Sequence, residues 1–141
     1  MTTKAKTQER HTIQKELVHE TVMTMHNHPT AQEIFEELHK AHPTVSRATV
    51  YRILGSLAEQ HKILKIPSTG GADCFDFNTS EHAHFLCRIC NRIGDIQASA
   101  PSIPIPPETH DYQIESYSLL YHGICAACLA EGSPYKNQKT K

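Results

Sequence analysis

Apolar residues recur at Ile13, Leu17, Val18, Val22 and Met25, a near-helical spacing that predicts an amphipathic helix. His28-Pro29 ends it, because a residue before proline is pushed out of the α region. A second helix is predicted from Thr30, where Thr30 and Glu33 form a T-x-x-E capping box and Ile34, Phe35, Leu38 and Ala41 supply the buried stripe. His42-Pro43 stops it. The third helix begins at Ser46, a good N-cap, and turns Val50, Ile53, Leu54 and Leu57 inward. Its other face carries Arg47, Ala48, Tyr51, Arg52 and Gly55: short residues, two guanidinium groups and one ring, a surface that can approach a partner closely. Leu64 and Ile66, the run Pro67-Ser68-Thr69-Gly70-Gly71-Ala72-Asp73, then Phe75 and Phe77 read as strand, turn, strand.

Three helices and a hairpin in about 70 residues is the order of a winged helix-turn-helix, whose third helix enters a DNA major groove. A plain α+β core has the same order, so the pattern alone leaves both open. Further along, Arg92 to Ile96 and the alternating run Tyr112 to Leu120 read as strands. The chain of 141 residues, 38% hydrophobic and without tryptophan, suffices for one ordinary domain or for two small ones that need help holding together. A structural metal is such help. No apolar run approaches the roughly 18 residues of a membrane span, and Met1-Thr2-Thr3-Lys4-Ala5-Lys6 lacks a signal peptide's apolar region. A soluble, cytoplasmic chain without a membrane partner is expected. Charge is nearly balanced, but up to Ile66 nine Lys/Arg face seven Asp/Glu, and beyond it five face eight. That asymmetry permits nucleic-acid binding without establishing it.

The strongest chemical signal is two Cys-x-x-Cys pairs, Cys87/Cys90 and Cys125/Cys128. Four thiolates at that spacing close a tetrahedral shell around zinc, and in a reducing compartment they fit metal better than disulfides. A thioredoxin-like pair needs a helix start beside a βαβ pattern, which is absent. The deaminase signature fails too, since His82-Ala83-His84 lacks the required acid and neither pair follows proline. His82 and His84 are left to serve a second ion. In a strand they share a face, as do Cys74 and Asp76 while Phe75 and Phe77 point to the core, and Asp95 on the next strand can return to the same spot. Imidazoles with carboxylates suit manganese or ferrous iron, whereas an added thiolate tilts a site toward zinc. Asp76 against Cys74 is therefore the choice the residues leave open.

His28-Pro29-Thr30-Ala31, Ser46-Arg47-Ala48-Thr49-Val50-Tyr51-Arg52, Phe75-Asp76-Phe77, His82-Ala83-His84-Phe85-Leu86-Cys87 and Cys125-Ala126-Ala127-Cys128 together resemble the ferric uptake regulator family, most like its peroxide-sensing branch, over about Gln8 to Cys128. The resemblance implies an α+β chain that is not an enzyme: a winged-helix DNA-binding domain at 1–72, a hinge at 73–80, a small α/β metal-binding dimerisation domain at 81–132 and a disordered tail at 133–141. It implies a homodimeric, metal-dependent repressor on a pseudo-palindromic operator in double-stranded DNA. Structural Zn(II) falls on Cys87, Cys90, Cys125 and Cys128, and regulatory Fe(II) or Mn(II) on His28, Asp76, His82, His84 and Asp95. His28 belongs to the DNA-binding half, so an ion gripping both halves makes DNA binding conditional on metal. In that branch peroxide oxidises the iron-ligating histidines, which here match His28 and His82.

The candidate DNA contacts are Arg10, Ser46, Arg47, Thr49, Tyr51 and Arg52, with Tyr51 set for thymine methyls and Arg52 for guanine or phosphate. Departures from the family pattern are also visible. The chain opens almost directly at the helix holding Arg10, so a basic arm is reduced to Lys4 and Lys6, and the prolines of Ala100 to His110 shorten or remove a dimer-domain helix. A second histidine-rich site is depleted at Glu81, Ala83, Ser102 and Tyr117, which leaves one regulatory ion per subunit. Two alternatives to the peroxide-sensing reading stand: a zinc- or iron-uptake regulator using Cys74 or another ligand set, with Zn(II) as the regulatory ion, and a zinc-stabilised enzyme, which needs an open metal position and a base.

Overall fold

The computed structural model describes residues 2–68, 71–96, 104 and 111–132. The chain divides into two compact units, Met1–Thr79 and Ser80–Lys141. The first unit contains helices α1 (Thr2–Thr24), α2 (Ala31–Ala41) and α3 (Arg47–Glu59), then strands β1 (Leu64–Ile66) and β2 (Cys74–Asp76). The second contains β3 (Ala83–Cys87), β4 (Ile93–Ile96), β5 (Leu120–Gly123) and the short α4 (Ala126–Ala130).

The first unit is held by one apolar cluster: Val18 and Val22 from α1, Ile34 and Leu38 from α2, Val45, then Val50, Ile53, Leu54 and Leu57 from α3, with Ile63 and Phe75 from the hairpin. Only the C-terminal half of α1 feeds that core. Ile13, expected on the inward face, is 49% exposed, and α1 begins at Thr2 rather than near Arg10 because no proline or glycine interrupts the chain before Thr24. Lys4, Lys6 and Arg10 consequently ride on a long helix instead of a reduced arm.

Both later helix starts follow their caps. Thr30 Oγ1 accepts the Glu33 N–H at 3.2 Å while the Thr30 N–H donates to Glu33 Oε2 at 2.7 Å, a complete capping box. Ser46 Oγ accepts the Thr49 N–H at 3.2 Å. Thr30→Ala is expected to cost about 1 kcal/mol of stability, read as a lower urea midpoint with an unchanged slope.

The hairpin pairs Leu64 with Asp76 and Ile66 with Cys74 in antiparallel register. Its second strand is also tied to the start of α2: the Phe75 N–H donates to Pro29 O at 2.9 Å, and Thr30 bridges Cys74. Cys74–Asp76, within the stretch expected as a hinge, thus pair with β1 in the first unit.

In the second unit β3 is central, antiparallel to β4 and parallel to β5. The strand expected over Tyr112 to Leu120 is instead Leu120–Gly123. The register explains why: Leu120 lies opposite His84, so residues before Leu119 run past the beginning of β3 and have no ladder there. Gly123 packs closely on β3, where an added Cβ would meet Phe85 Cε2 at 2.9 Å. Gly123→Ala is expected to force that ring to move and to cost about 1–3 kcal/mol, measured by thermal unfolding of the metal-loaded protein. The proline-rich segment at 100–110, apart from exposed Pro104, and the tail at 133–141 lie outside the described residues.

Candidate metal centres

The turn joining β3 to β4 carries the first cysteine pair. Cys87 N–H donates to Arg92 O and Asn91 N–H to Cys87 O, both at 2.9 Å, and Asn91 takes a left-handed φ of 58° that closes the knuckle. The second pair sits where β5 runs into α4, with Cys125 at the N-cap position and Cys128 buried in the first turn. Parallel pairing of Cys87 with Gly123 brings the two pairs together. Their four Sγ atoms lie within 4.8 Å of one another, with Cys87–Cys128 at 3.9 Å and Cys90–Cys125 at 3.8 Å. A tetrahedron with metal–sulfur bonds of about 2.3 Å has edges of about 3.8 Å, so these thiols fit one four-coordinate soft cation without rearrangement.

The electrostatics of the cluster favour thiolate character at one corner. Burial pushes the Cys87 thiol up, but the backbone N–H groups of Cys90, Cys125 and Ile89 outweigh it and bring it down to about 6. The Cys125 N–H lies 3.4 Å from Cys87 Sγ. Cys128 goes the other way: its hydrogen bond with Cys125, together with burial, pushes it up to about 12. Metal uptake must displace the Cys128 proton.

Candidate nitrogen and oxygen ligands occur in each unit. In the first, His28 follows the α1 turn with a left-handed φ of 52°, and the tie between Pro29 and Phe75 sets it beside β2. His28 Nε2 is 3.4 Å from Asp76 Oδ2, with both side chains buried. Asp76 Oδ1 accepts the Asn78 N–H at 2.9 Å, which orients the carboxylate. Cys74 takes no part in this pair. Its Sγ lies 3.9 Å from Ala72 O, burial and then the charges of Glu33 and Asp73 push its thiol up, and it joins no group of three or more candidate ligands among the described residues.

In the second unit His84 lies directly opposite Asp95 in the β3–β4 ladder. His82 precedes it by two residues, and the two rings are 4.3 Å apart. Asp95 Oδ1 is 3.0 Å from His82 Nε2 and 3.4 Å from His84 Nε2. One detail escaped the sequence reading. Ser80 O is 2.7 Å from His82 Nδ1, and since a carbonyl only accepts, Nδ1 donates to it and Nε2 is the ring nitrogen that faces Asp95.

The outward face of α3 carries exposed Ser46, Arg47, Tyr51 and Arg52 with half-buried Thr49. Arg47 also stacks over the Phe35 ring, 5.5 Å from its centroid. Between α1 and α3 a groove of about 640 Å³ is lined by Lys4, His11, Lys15, Arg52 and Ser56 among others, with no carboxylate. Lys15 is positioned by donating to Gln60 Oε1 at 2.7 Å. Arg10 lines clefts on other sides of α1, near Thr49 and near Val45. Lys15 was missed in the sequence, although Lys4, His11 and Lys15 share one helical face by spacing.

A winged helix-turn-helix followed by a small α/β unit with a four-cysteine cluster defines a class of winged-helix regulator. The chain belongs to the ferric uptake regulator family, which it matches over residues 5–121. It is 27% identical over 126 residues to the peroxide-responsive repressor PerR of Staphylococcus epidermidis, covering 86% of this chain and 83% of that protein. PerR of Staphylococcus aureus is 28% identical over 121 residues, covering 83% and 80%. Among solved structures, the Campylobacter jejuni peroxide stress regulator superposes with a TM-score of 0.66 at 26% identity, covering 86% of this chain and 92% of that one. The Helicobacter pylori ferric uptake regulator shares the fold at TM-score 0.63 and 20% identity, covering 82% and 79%.

Proposed function

We propose that the chain is a cytoplasmic, homodimeric, metal-dependent transcriptional repressor that responds to peroxide through a regulatory Fe(II) or Mn(II) ion held by His28, Asp76, His82, His84 and Asp95. The observation that carries this reading is the division of donors: all four thiols of the two cysteine pairs gather in one cluster, while the remaining ligands are imidazoles and carboxylates with no thiolate among them. The first set suits Zn(II) in a closed structural role and the second suits a harder divalent ion. The kinship with peroxide-responsive repressors supports the same choice.

His28 and Asp76 belong to the winged-helix unit, and His82, His84 and Asp95 to the other. Sharing one ion between them restrains two winged helices at the half-site separation of a pseudo-palindromic operator. Bound ferrous iron would supply the electrons for peroxide cleavage beside the histidine rings. Arg47, Tyr51 and Arg52 on α3 read and grip the DNA, and the acid-free groove holding Lys15 adds a phosphate contact. Tyr51→Ala is expected to reduce preference for the operator by about 1–3 kcal/mol per contacted base pair, measured against a scrambled duplex at fixed salt; an unchanged footprint assigns reading to another element.

The test begins with zinc-loaded protein and an operator selected from random duplexes in the presence of Mn(II). Operator binding is titrated with Mn(II), Fe(II) and Zn(II), and the Fe(II) complex is then exposed to peroxide. Binding promoted by Mn(II) and Fe(II), lost irreversibly with peroxide only for iron and indifferent to Cys74→Ser, is the expected pattern. Switching by zinc alone, abolished in Cys74→Ser, would establish a zinc-uptake regulator instead.

A further inference from the structure

We propose that Gly55 is a specificity-determining position, where the bare backbone of α3 closes on a thymine methyl of the operator, an inference that rests on the DNA-reading role given to α3 above.

Glycine inside a helix destabilises it relative to alanine, because its backbone has the most freedom to lose. Gly55 lies well inside α3, and the fold does not account for it. Its φ is not left-handed, since Gly132 is the glycine with a positive φ among the described residues. A Cβ added at Gly55 would meet no atom within 4 Å, so no neighbouring element needs the space. The glycine instead leaves the helix surface bare one turn beyond Tyr51, on the same face. A group outside the chain, brought into contact with that backbone, accounts for what the fold does not.

The surroundings select its chemistry. Tyr51 and Gly55 form one side of a notch of about 380 Å³ that is lined on the other by the hairpin residues Lys65, Ala72, Asp73 and Phe75. The ammonium and the carboxylate there are matched: Lys65 Nζ lies 3.1 Å from Asp73 Oδ2, and Asp73 Oδ1 accepts the Ser68 N–H at 3.2 Å. A phosphate entering this notch would meet a carboxylate and an ammonium already paired, whereas the groove between α1 and α3 offers Lys4, Lys15 and Arg52 without an acid. The notch therefore suits a compact, uncharged, apolar group. On the major-groove edge of DNA that group is the thymine C5 methyl, which no other base carries.

The test uses full-length, zinc-loaded protein with Mn(II) and the selected operator, in which each thymine is replaced in turn by deoxyuridine, the same base without its methyl. The helical transition of Gly55→Ala is expected about 4–8 °C above that of the unaltered protein, and its operator binding about tenfold weaker, because the new methyl fills the space. At one thymine in each half-site, deoxyuridine should restore most of that loss to Gly55→Ala while weakening the unaltered protein about fourfold. At the other thymines the two proteins should respond alike. A lower melting temperature in Gly55→Ala overturns the proposal by assigning the glycine to the fold. Undiminished operator binding, or weakened binding that no deoxyuridine position relieves, overturns it too and leaves α3 as the reader. If Tyr51→Ala also binds the operator as tightly as the unaltered protein, the DNA-reading role of α3 fails with it.

Discussion

Cys128→Ser is expected to unfold the second unit. Cys128 is buried at the start of α4 and within reach of the other three thiols, and among the described residues a three-strand sheet joined to a five-residue helix has little apolar core beyond Ala83, Leu86 and Ile93. Structural zinc contributes roughly 10–16 kcal/mol of apparent binding free energy in small metal-folded domains, far more than the few kcal/mol that separate folded from unfolded states in marginal ones. The serine variant should purify without stoichiometric zinc, sediment as a monomer and lose β-sheet signal, while the first unit, with its own core of eleven buried side chains, keeps its helical signal. Retention of zinc and of dimeric mass would show that three thiolates and a water suffice. Acid should act in the same direction. Without metal, the backbone N–H groups around Cys87 hold its thiol below the ordinary 9.0, at about 6, so the stability it contributes as a thiolate is complete above that ordinary value and declines as pH falls from there to about 6. Zinc release followed with a chromogenic chelator should increase as pH falls, because protons compete with the metal for all four thiolates.

Asp95→Ala is expected to have the largest effect on regulation. Its Oδ1 lies near both His82 and His84, so removing it takes away a proposed ligand and the group that aligns the two rings. The Mn(II) concentration for half-maximal operator binding should rise by about 100-fold, with zinc content unchanged. A smaller effect than that of Cys74→Ser would place the regulatory ion elsewhere.

The helix-turn-helix was legible because its signals are local. Thr30 with Glu33, and Ser46 alone, mark helix starts by chemistry that acts over three residues, and the apolar positions of α2 and α3 follow one period. The cysteine cluster was legible for a similar reason: Cys-x-x-Cys spacing brings two thiols to one knuckle, and two such pairs suit one ion. What failed was everything set by a distant partner. Thr2 to Arg10 has no apolar period, so the extension of α1 left no trace in the pattern. Tyr112 to Ser118 alternates like a strand, but alternation does not say where the neighbouring strand begins, and β3 starts too late to pair with it. Lys15 gained its place in the groove from Gln60, 45 residues away. The Ser80 carbonyl that orients the His82 ring is a backbone atom, invisible to any reading of residue types.

The central claim is that one divalent ion links the winged-helix unit to the second unit through ligands from both. Its most direct test is operator occupancy against Mn(II) concentration for zinc-loaded His28→Ala/Asp95→Ala protein, which lacks one ligand on each side. A flat response across the range that saturates the unaltered protein is predicted. A response that keeps its midpoint and amplitude would contradict the account.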